Sequence, residues 1–421
     1  MTPEMKMRRK RKVFYGWFAL AGLSLVVFTM SGAFVNSFGV FLPVICDDLG
    51  WSRAVVAMAL SIGIMSFGLP SPLFGLLVTR FGPRFTIIWG NLVAAAAIAG
   101  ISMVHEIWQF YVLYSIIGIG GGFGGYIACS TIANNWFIKK RSLALGIFTA
   151  SGGLGGFVFP PVATALIAAI GWRLSWVVMA GIVALGATVG GVILIRNKPE
   201  DMGLVPDGAE PGPFDGIEAG KTAVPGKEAA FSLKQLVKMP VIWMIAGFAV
   251  ANAFVIGTMN THQVAYIQDI GFTPMTAATT MSVLAAIGVA GSVSFGASAL
   301  KLNVKKLAIG AFCCQLVAMA ILLTTKQLGL LYIYAILLGL GYGALTTAMP
   351  TFVGIYFGRE VYARALGLIL PFQIGAQAVA AYVAGVIYDA AGSYTLAFIV
   401  VAAFIAAGFF IMTMMRLPKR Q

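Results

Sequence analysis

Twelve apolar runs, each about 20 residues or longer, dictate what this chain can fold into. A helix of that length, rising 1.5 Å per residue, spans the roughly 30 Å hydrocarbon core of a bilayer. The runs fall at about 14–42, 53–78, 84–104, 107–132, 142–169, 173–195, 239–267, 275–299, 305–324, 328–356, 363–388 and 393–415. The gap between the fourth and fifth shows how they are joined. Asn134-Asn135-Trp136-Phe137 ends one run, Lys139, Lys140 and Arg141 cross the gap, and Ser142-Leu143-Ala144-Leu145-Gly146 begins the next. Such a sequence describes a short cytoplasmic turn between two membrane helices.

Composition agrees, since 60% of the 421 residues are apolar and only 10% are charged, too few to cover a soluble surface. The 51 glycines suit close helix contact within lipid. The first run is too long for a signal-peptide core and lacks a small-residue cleavage site, so no cleaved leader is expected.

The net charge of +14 is distributed by topology. Lys6, Arg8, Arg9, Lys10, Arg11 and Lys12 precede the first run, and of the 28 Lys and Arg residues only Arg53, Arg173 and Lys326 fall in the intervening, opposite set of gaps. The positive-inside rule then predicts an even number of spans with both termini cytoplasmic, and it accounts for the charge without a nucleic-acid partner. The predicted organisation is an all-α polytopic membrane protein. It has a basic tail (1–13), a six-helix bundle (14–195), a cytoplasmic linker (196–238) rich in Pro and Gly, a second six-helix bundle (239–415) and a short tail (416–421). Phe231 to Leu236 reads as a short surface helix leading into the seventh run.

Cys46, Cys129, Cys313 and Cys314 have no zinc-ligand spacing, and no metal or cofactor is expected. The Gly118–Gly125 run resembles a nucleotide-binding loop, but it lies inside an apolar run, where close helix crossing explains it. No acid–base or nucleophilic set converges, so an enzyme is not expected. A receptor or scaffold would ordinarily add a sizeable soluble domain. Repeated bundles with a solute site at their interface instead provide a route to alternating access.

Two gaps correspond in layout: Gly75 to Arg84 between the second and third runs, and Gly296 to Leu302 between the eighth and ninth. The first resembles the signature of the major facilitator superfamily, Gly-x-x-x-Asp-Arg-x-Gly-Arg. Gly75, Arg80, Gly82 and Arg84 match, with Pro83 inserted and Thr79 in the place of the aspartate. Four further stretches resemble the monocarboxylate transporter and oxalate/formate antiporter branch. They are Tyr15-Gly16-Trp17, Asn134-x-Trp136-Phe137 with Lys140-Arg141, His262 with Tyr266, Asp269 and Gly271, and Ala363-Arg364-x-x-Gly367.

The resemblance implies a secondary carrier of a small organic anion, most simply a monocarboxylate, with proton coupling or anion exchange. It also implies a multi-pass protein of a bacterial inner membrane, and we expect it to act as a monomer. Branch members place a cation on the eighth or eleventh span, whereas this chain has Ser292 and Gln373 there. A dicarboxylate would then lack compensation for its lost hydration, and a neutral or amphipathic solute becomes the second reading.

Candidate solute contacts follow. Tyr126, ten residues before Trp136, matches a cavity aromatic of the branch, and so does Tyr342; Thr346 and Pro350 continue the Tyr342 face. Gln373 and Gln377 share a face of the eleventh run, and Asn36 is the only side-chain amide in the first. His262 can change protonation near neutral pH and is the candidate for coupling or gating, with Tyr266 and Asp269 as an external latch and Arg80 and Arg84 as the signature-loop cations. Asn252, Asn260 and Gln263 are further polar positions on the seventh run, and no charged residue falls near the middle of any run. Coupling could therefore use His262 or a proton carried by the solute itself, and exchange or uncoupled transport remain open.

Overall fold

The computed structural model describes residues 14–208 and 233–416. The basic tail before residue 14, most of the linker (209–232) and the last five residues lie outside the described residues.

The structure is helical throughout. α1 (Gly16–Ser31) passes through a π-turn (Gly32–Asn36) into α2 (Phe38–Leu49). There follow α3 (Arg53–Gly68), α4 (Ser71–Phe81), α5 (Pro83–Gly100), α6 (Ile107–Gly124), α7 (Tyr126–Trp136) and α8 (Arg141–Gly186), which widens into a π-helix (Ala187–Leu194). After the linker come α9 (Leu233–Val237), α10 (Pro240–Asp269), α11 (Pro274–Ser298), α12 (Val304–Thr324), α13 (Leu328–Phe357), α14 (Tyr362–Ala391) and α15 (Thr395–Met414). α9 is the short helix expected near 231–236.

Local chemistry sets the helix ends. The Ser52, Thr273 and Asn303 side chains accept backbone N–H groups of the first turns of α3, α11 and α12. Pro83, Pro240 and Pro274 occupy first-turn positions where the missing N–H costs nothing. Gly50 and Gly392 end α2 and α14 in the left-handed region at φ 67° and 64°.

Among the described residues ten helical stretches are long and apolar enough to cross a membrane, or eleven if the pair Val55–Gly68 and Ser71–Phe81, bent by 50°, is one span. The expected runs 142–169 and 173–195 form one 54-residue stretch, Arg141–Leu194. At 1.5 Å per residue it is roughly 80 Å long, more than twice a hydrocarbon core. It doubles back at Gly171 (φ 75°, ψ 163°), and its two ends come together, where the Trp136 indole just before it donates to the Arg196 carbonyl just after it at 2.9 Å.

The helices up to residue 194 pack chiefly on one another, as do those from residue 240. Large apolar side chains such as Trp89, Phe157, Leu174 and Phe410 are more than half exposed, as they would be against lipid. The loops bearing Arg84, Lys139 to Arg141, Arg196 and Arg359 gather on one side, called the basic face below. On the opposite face Arg173 pairs with Asp48 at 3.3 Å and donates to the Ser102 and Val104 carbonyls.

The glycine run packs as the sequence reading expected. Cβ atoms at Gly120, Gly122 and Gly124 would lie 2.5, 2.5 and 2.7 Å from the nearest atoms of α5 and α4. A Cβ at Gly90 would meet the Gly120 carbonyl oxygen at 2.5 Å, so α5 and α6 touch backbone to backbone. Gly90→Ala should destabilise the detergent-solubilised protein by about 1–3 kcal/mol through overpacking. Gly310→Ala, where a Cβ meets nothing within 4 Å, should not, and thermal unfolding of the two variants side by side checks this.

Candidate functional site

Near its middle, α10 turns Val255, Ile256, Met259 and Asn260 toward Leu284 of α11 and toward Leu338 and Tyr342 of α13, and these seven residues line a cleft. The spacings of three and four put each set on one helical face. Gly288 of α11 makes room, since a Cβ there would lie 3.1 Å from the Tyr342 ring. The lining is apolar apart from the Asn260 amide and the Tyr342 hydroxyl, and it carries no charged side chain. One turn further along α10, Gln263 is fully buried, and neither Oε1 nor Nε2 has a hydrogen-bond partner among the described residues.

Tyr126 of the first half lies within electrostatic reach of Tyr342 and Tyr362 of the second. Tyr126 is the first residue of α7, after a break at Gly125 (φ −99°, ψ −118°), and its ring packs 5.5 Å from Phe148. Gln373 is half-buried, and its Oε1 is shut from solvent without a donor among the described residues. Gln377 is half-buried on the same helix, with its carbonyl against Gly257 of α10. Thr346 spends its hydroxyl on the Tyr342 carbonyl at 2.8 Å. Asn36 sits in the π-turn of the first span, a local widening that recurs at functional sites. Its Nδ2 donates to the Ser31 carbonyl and hydroxyl at 2.9 and 3.0 Å, and Ser31 Oγ reaches the Gly152 carbonyl of α8. Ser292 is 4% exposed and donates to the Gly288 and Gly343 carbonyls, so the position that carries a cation in the resembling branch is occupied here by helix packing.

The two halves meet toward the basic face through two reciprocal crossings, each made of two glycine–carbonyl contacts. A Cβ on Gly75 of α4 would lie 2.5 Å from the Ala363 carbonyl oxygen of α14, and one on Gly367 would lie 2.5 Å from that of Ser71. Gly146 of α8 faces the Ser292 carbonyl, and Gly296 of α11 faces that of Ser142, again at 2.5 Å. Ser71 Oγ donates to the Gly367 carbonyl at 3.0 Å, Thr149 and Thr347 share a 2.8 Å hydrogen bond, and Arg141 and Asn134 donate to the Gly354 and Gly358 carbonyls.

The first part of the linker forms a strap over this face. Arg84 N–H donates to Asn197 Oδ1 at 2.8 Å, Asn135 Nδ2 donates to the Asn197 carbonyl at 3.1 Å, and the Asp207 carboxylate accepts the N–H groups of Ile138, Lys139 and Lys140. The strap reaches the other half through Glu200, which pairs with both terminal nitrogens of Arg359 at 2.7 and 2.9 Å. This pair was not legible in the sequence, because a partner about 160 residues away leaves no local pattern. Arg84 also binds the Gly191 and Val192 carbonyls freed by the π-helix, so its bonds stay within the first half. Arg80 is exposed, 5.5 Å from the Phe81 ring.

His262, Tyr266 and Asp269 lie together at the opposite end of the second half. His262 Nε2 meets the Ala381 carbonyl at 2.9 Å and therefore carries the proton, which leaves Nδ1 to accept from the Tyr394 hydroxyl at 3.2 Å. Tyr266, Asp269, Tyr388 and Tyr394 line a cavity of about 380 Å³ there. Burial, Tyr388 and the Asp269 and Asp389 carboxylates together push the Tyr394 phenol above its ordinary range. Tyr394 was not singled out from the sequence, since nothing near it marks a partner on α10.

The Glu200–Arg359 pair makes the contact between halves pH-sensitive. Burial raises the Glu200 carboxyl, but hydrogen bonds from Arg359 and the local backbone, with the charges of Arg359 and Lys198, leave it below the ordinary carboxylate range. A depressed acid stabilises the pair above that range and loses the contribution as pH falls through the lowered value. Glu200→Gln should raise the alkylation rate of a Ser142→Cys probe by up to about five-fold at neutral pH, the scale of an exposed ion pair. Acidification should narrow the difference between variant and parent.

Comparison with known proteins fits this geometry. The sequence profile of the Major Facilitator Superfamily matches residues 23–371. Monocarboxylate transporter 13 of Rattus norvegicus is 26% identical over 385 residues, covering 89% of this chain and 83% of that protein. The oxalate:formate antiporter of Oxalobacter formigenes is 32% identical over 151 residues, 36% of each chain. Among solved structures, the transporter FucP in the outward conformation superposes with a TM-score of 0.68 at 14% identity, covering 94% of this chain and 97% of that one. The chain is a multi-pass membrane protein and a non-enzymatic small-molecule carrier, and it belongs to the Major Facilitator Superfamily.

Proposed function

We propose that the protein carries a small organic anion, a monocarboxylate, across a bacterial inner membrane by rocking one half against the other. In this reading the two limbs of Arg141–Leu194 are separate spans and α3 with α4 is one, which makes twelve spans in two six-helix bundles. The positive-inside rule makes the basic face cytoplasmic. The two glycine crossings then seal the cytoplasmic side, and the conformation is outward-facing, with transport by the monomer.

The observation that carries this reading is the lining of the cleft, an aliphatic wall with one amide and one phenol. Such a wall suits a solute with an apolar body and a single polar end. The names of relatives that match over most of this chain point to the same class. The second reading, a neutral or amphipathic solute, is favoured by Ser292 and Gln373, which replace the cations of the resembling branch.

Uptake of labelled monocarboxylates, dicarboxylates and neutral solutes into proteoliposomes, corrected for protein-free vesicles, separates the two readings. Monocarboxylates should be taken up and dicarboxylates excluded. Asn260→Leu and Tyr342→Phe should each raise KM about five- to ten-fold, the scale of one hydrogen bond, with folding intact. Uptake of neutral compounds alone, with no carboxylate competition, selects the second reading.

A further inference from the structure

We propose that the solute is bound and carried as the neutral, protonated carboxylic acid, recognised by primary amides of the second half, with Gln263 as a contact. The proposal rests on the monocarboxylate reading above. Asn260 supplies one amide to the cleft. Gln263, one turn further along α10 and behind the lining, is 0% exposed with both polar atoms unpartnered among the described residues. Gln373 adds a buried Oε1 that has no donor among the described residues.

The type of group matters more than the number. A primary amide offers an N–H donor beside a carbonyl acceptor, and a carboxylic acid offers an acceptor beside an O–H donor, so the two complete each other's hydrogen bonds in a two-point pair. A carboxylate only accepts. It would leave each amide oxygen unpaired, and it would bring a charge into a low-dielectric wall that holds no compensating cation.

The Arg141 guanidinium lies on the basic side of the Gly146–Gly296 crossing, where one terminal nitrogen donates to the Gly354 carbonyl and Nε has no partner among the described residues.

The titratable groups facing this region are few. They are the phenols of Tyr342 and Tyr334 on α13, the phenol of Tyr126 across the interface, and His262 on α10, which is turned to Tyr394 and Ala381. Asp269 ends α10, and Arg364 and Asp389 lie near the two ends of α14. The proton therefore travels on the solute. A carboxylate takes up one proton in the more acidic compartment, crosses as the acid and dissociates in the more alkaline one, so one proton moves per solute without protonation of the protein.

Binding to the full chain in detergent, followed by its thermal shift across pH, tests this directly. The probes are straight-chain monocarboxylic acids from acetic to hexanoic, their 2-chloro counterparts and the matching primary amides. Affinity per total acid should fall about ten-fold per pH unit above each acid's own pKa. The stronger 2-chloro acids should fall off at correspondingly lower pH, the amides should bind independently of pH, and the profile should persist in His262→Gln.

Gln263→Met should weaken acids and amides alike by about ten-fold while leaving the fold at least as stable, because it removes an unpaired buried amide. A stable Gln263→Met protein with unchanged affinity overturns the assignment of Gln263. Affinity that stays constant above the acid pKa, amides that do not bind, or a pH profile lost in His262→Gln would show that the anion binds, overturning the inference while the monocarboxylate reading stands. If none of the acids binds at any pH, the monocarboxylate reading falls as well.

Discussion

The structure depends on the close approach of helix backbones where a glycine faces a carbonyl. Ser71 and Gly75 on α4 meet Ala363 and Gly367 on α14, while Ser142 and Gly146 on α8 meet Ser292 and Gly296 on α11. Each crossing is a small residue and a glycine four positions apart, answered by the same pattern on its partner. Lipid supplies little hydrophobic drive between helices, so contact area and weak polar bonds must hold them, and only small residues allow the approach. These contacts join rigid helices without interlocking side chains. The two halves can therefore part without dismantling either core.

Around that contact the polar groups divide by role. Toward the basic face, guanidinium and amide groups bind backbone carbonyls across the interface, and the strap adds Glu200 to Arg359. Within the strap Asp207 adopts a left-handed backbone (φ 59°), a conformation unusual for a side-chain-bearing residue, and its carboxylate accepts three successive N–H groups at the start of α8. The middle of the second half holds neutral donors and acceptors, some left open. The far end holds the aromatic cluster in which His262 is fixed between Tyr394 and Ala381. Charge is thus used for closing and anchoring, and the cleft is left neutral.

Much of the fold was legible because its signals are local. Apolar length placed the helices within a few residues, and α14 (Tyr362–Ala391) and α12 (Val304–Thr324) fall almost where hydropathy placed runs 363–388 and 305–324. Continuity was less legible. Trp172 and Arg173 looked like the start of a separate run, but the helix resumes at once after Gly171, because one left-handed glycine suffices to turn it. The candidate site was legible only in its polar members. Tyr342 and Asn260 stand out against an apolar sequence, whereas Val255, Ile256, Leu284 and Leu338 cannot be told from any other lining in a chain that is 60% apolar. Pairings such as Glu200 with Arg359 and His262 with Tyr394 are set by tertiary packing and leave no spacing to read.

Solute can pass only if the halves separate on the basic face. The most direct measurement is uptake by a Glu200→Cys/Arg359→Cys protein, in a background whose four native cysteines are replaced by serine, before and after bridging with a short bis-maleimide. Bridging should stop uptake in the double variant, while each single variant treated alike continues to transport. Undiminished uptake from fully bridged protein would mean that the halves need not part there.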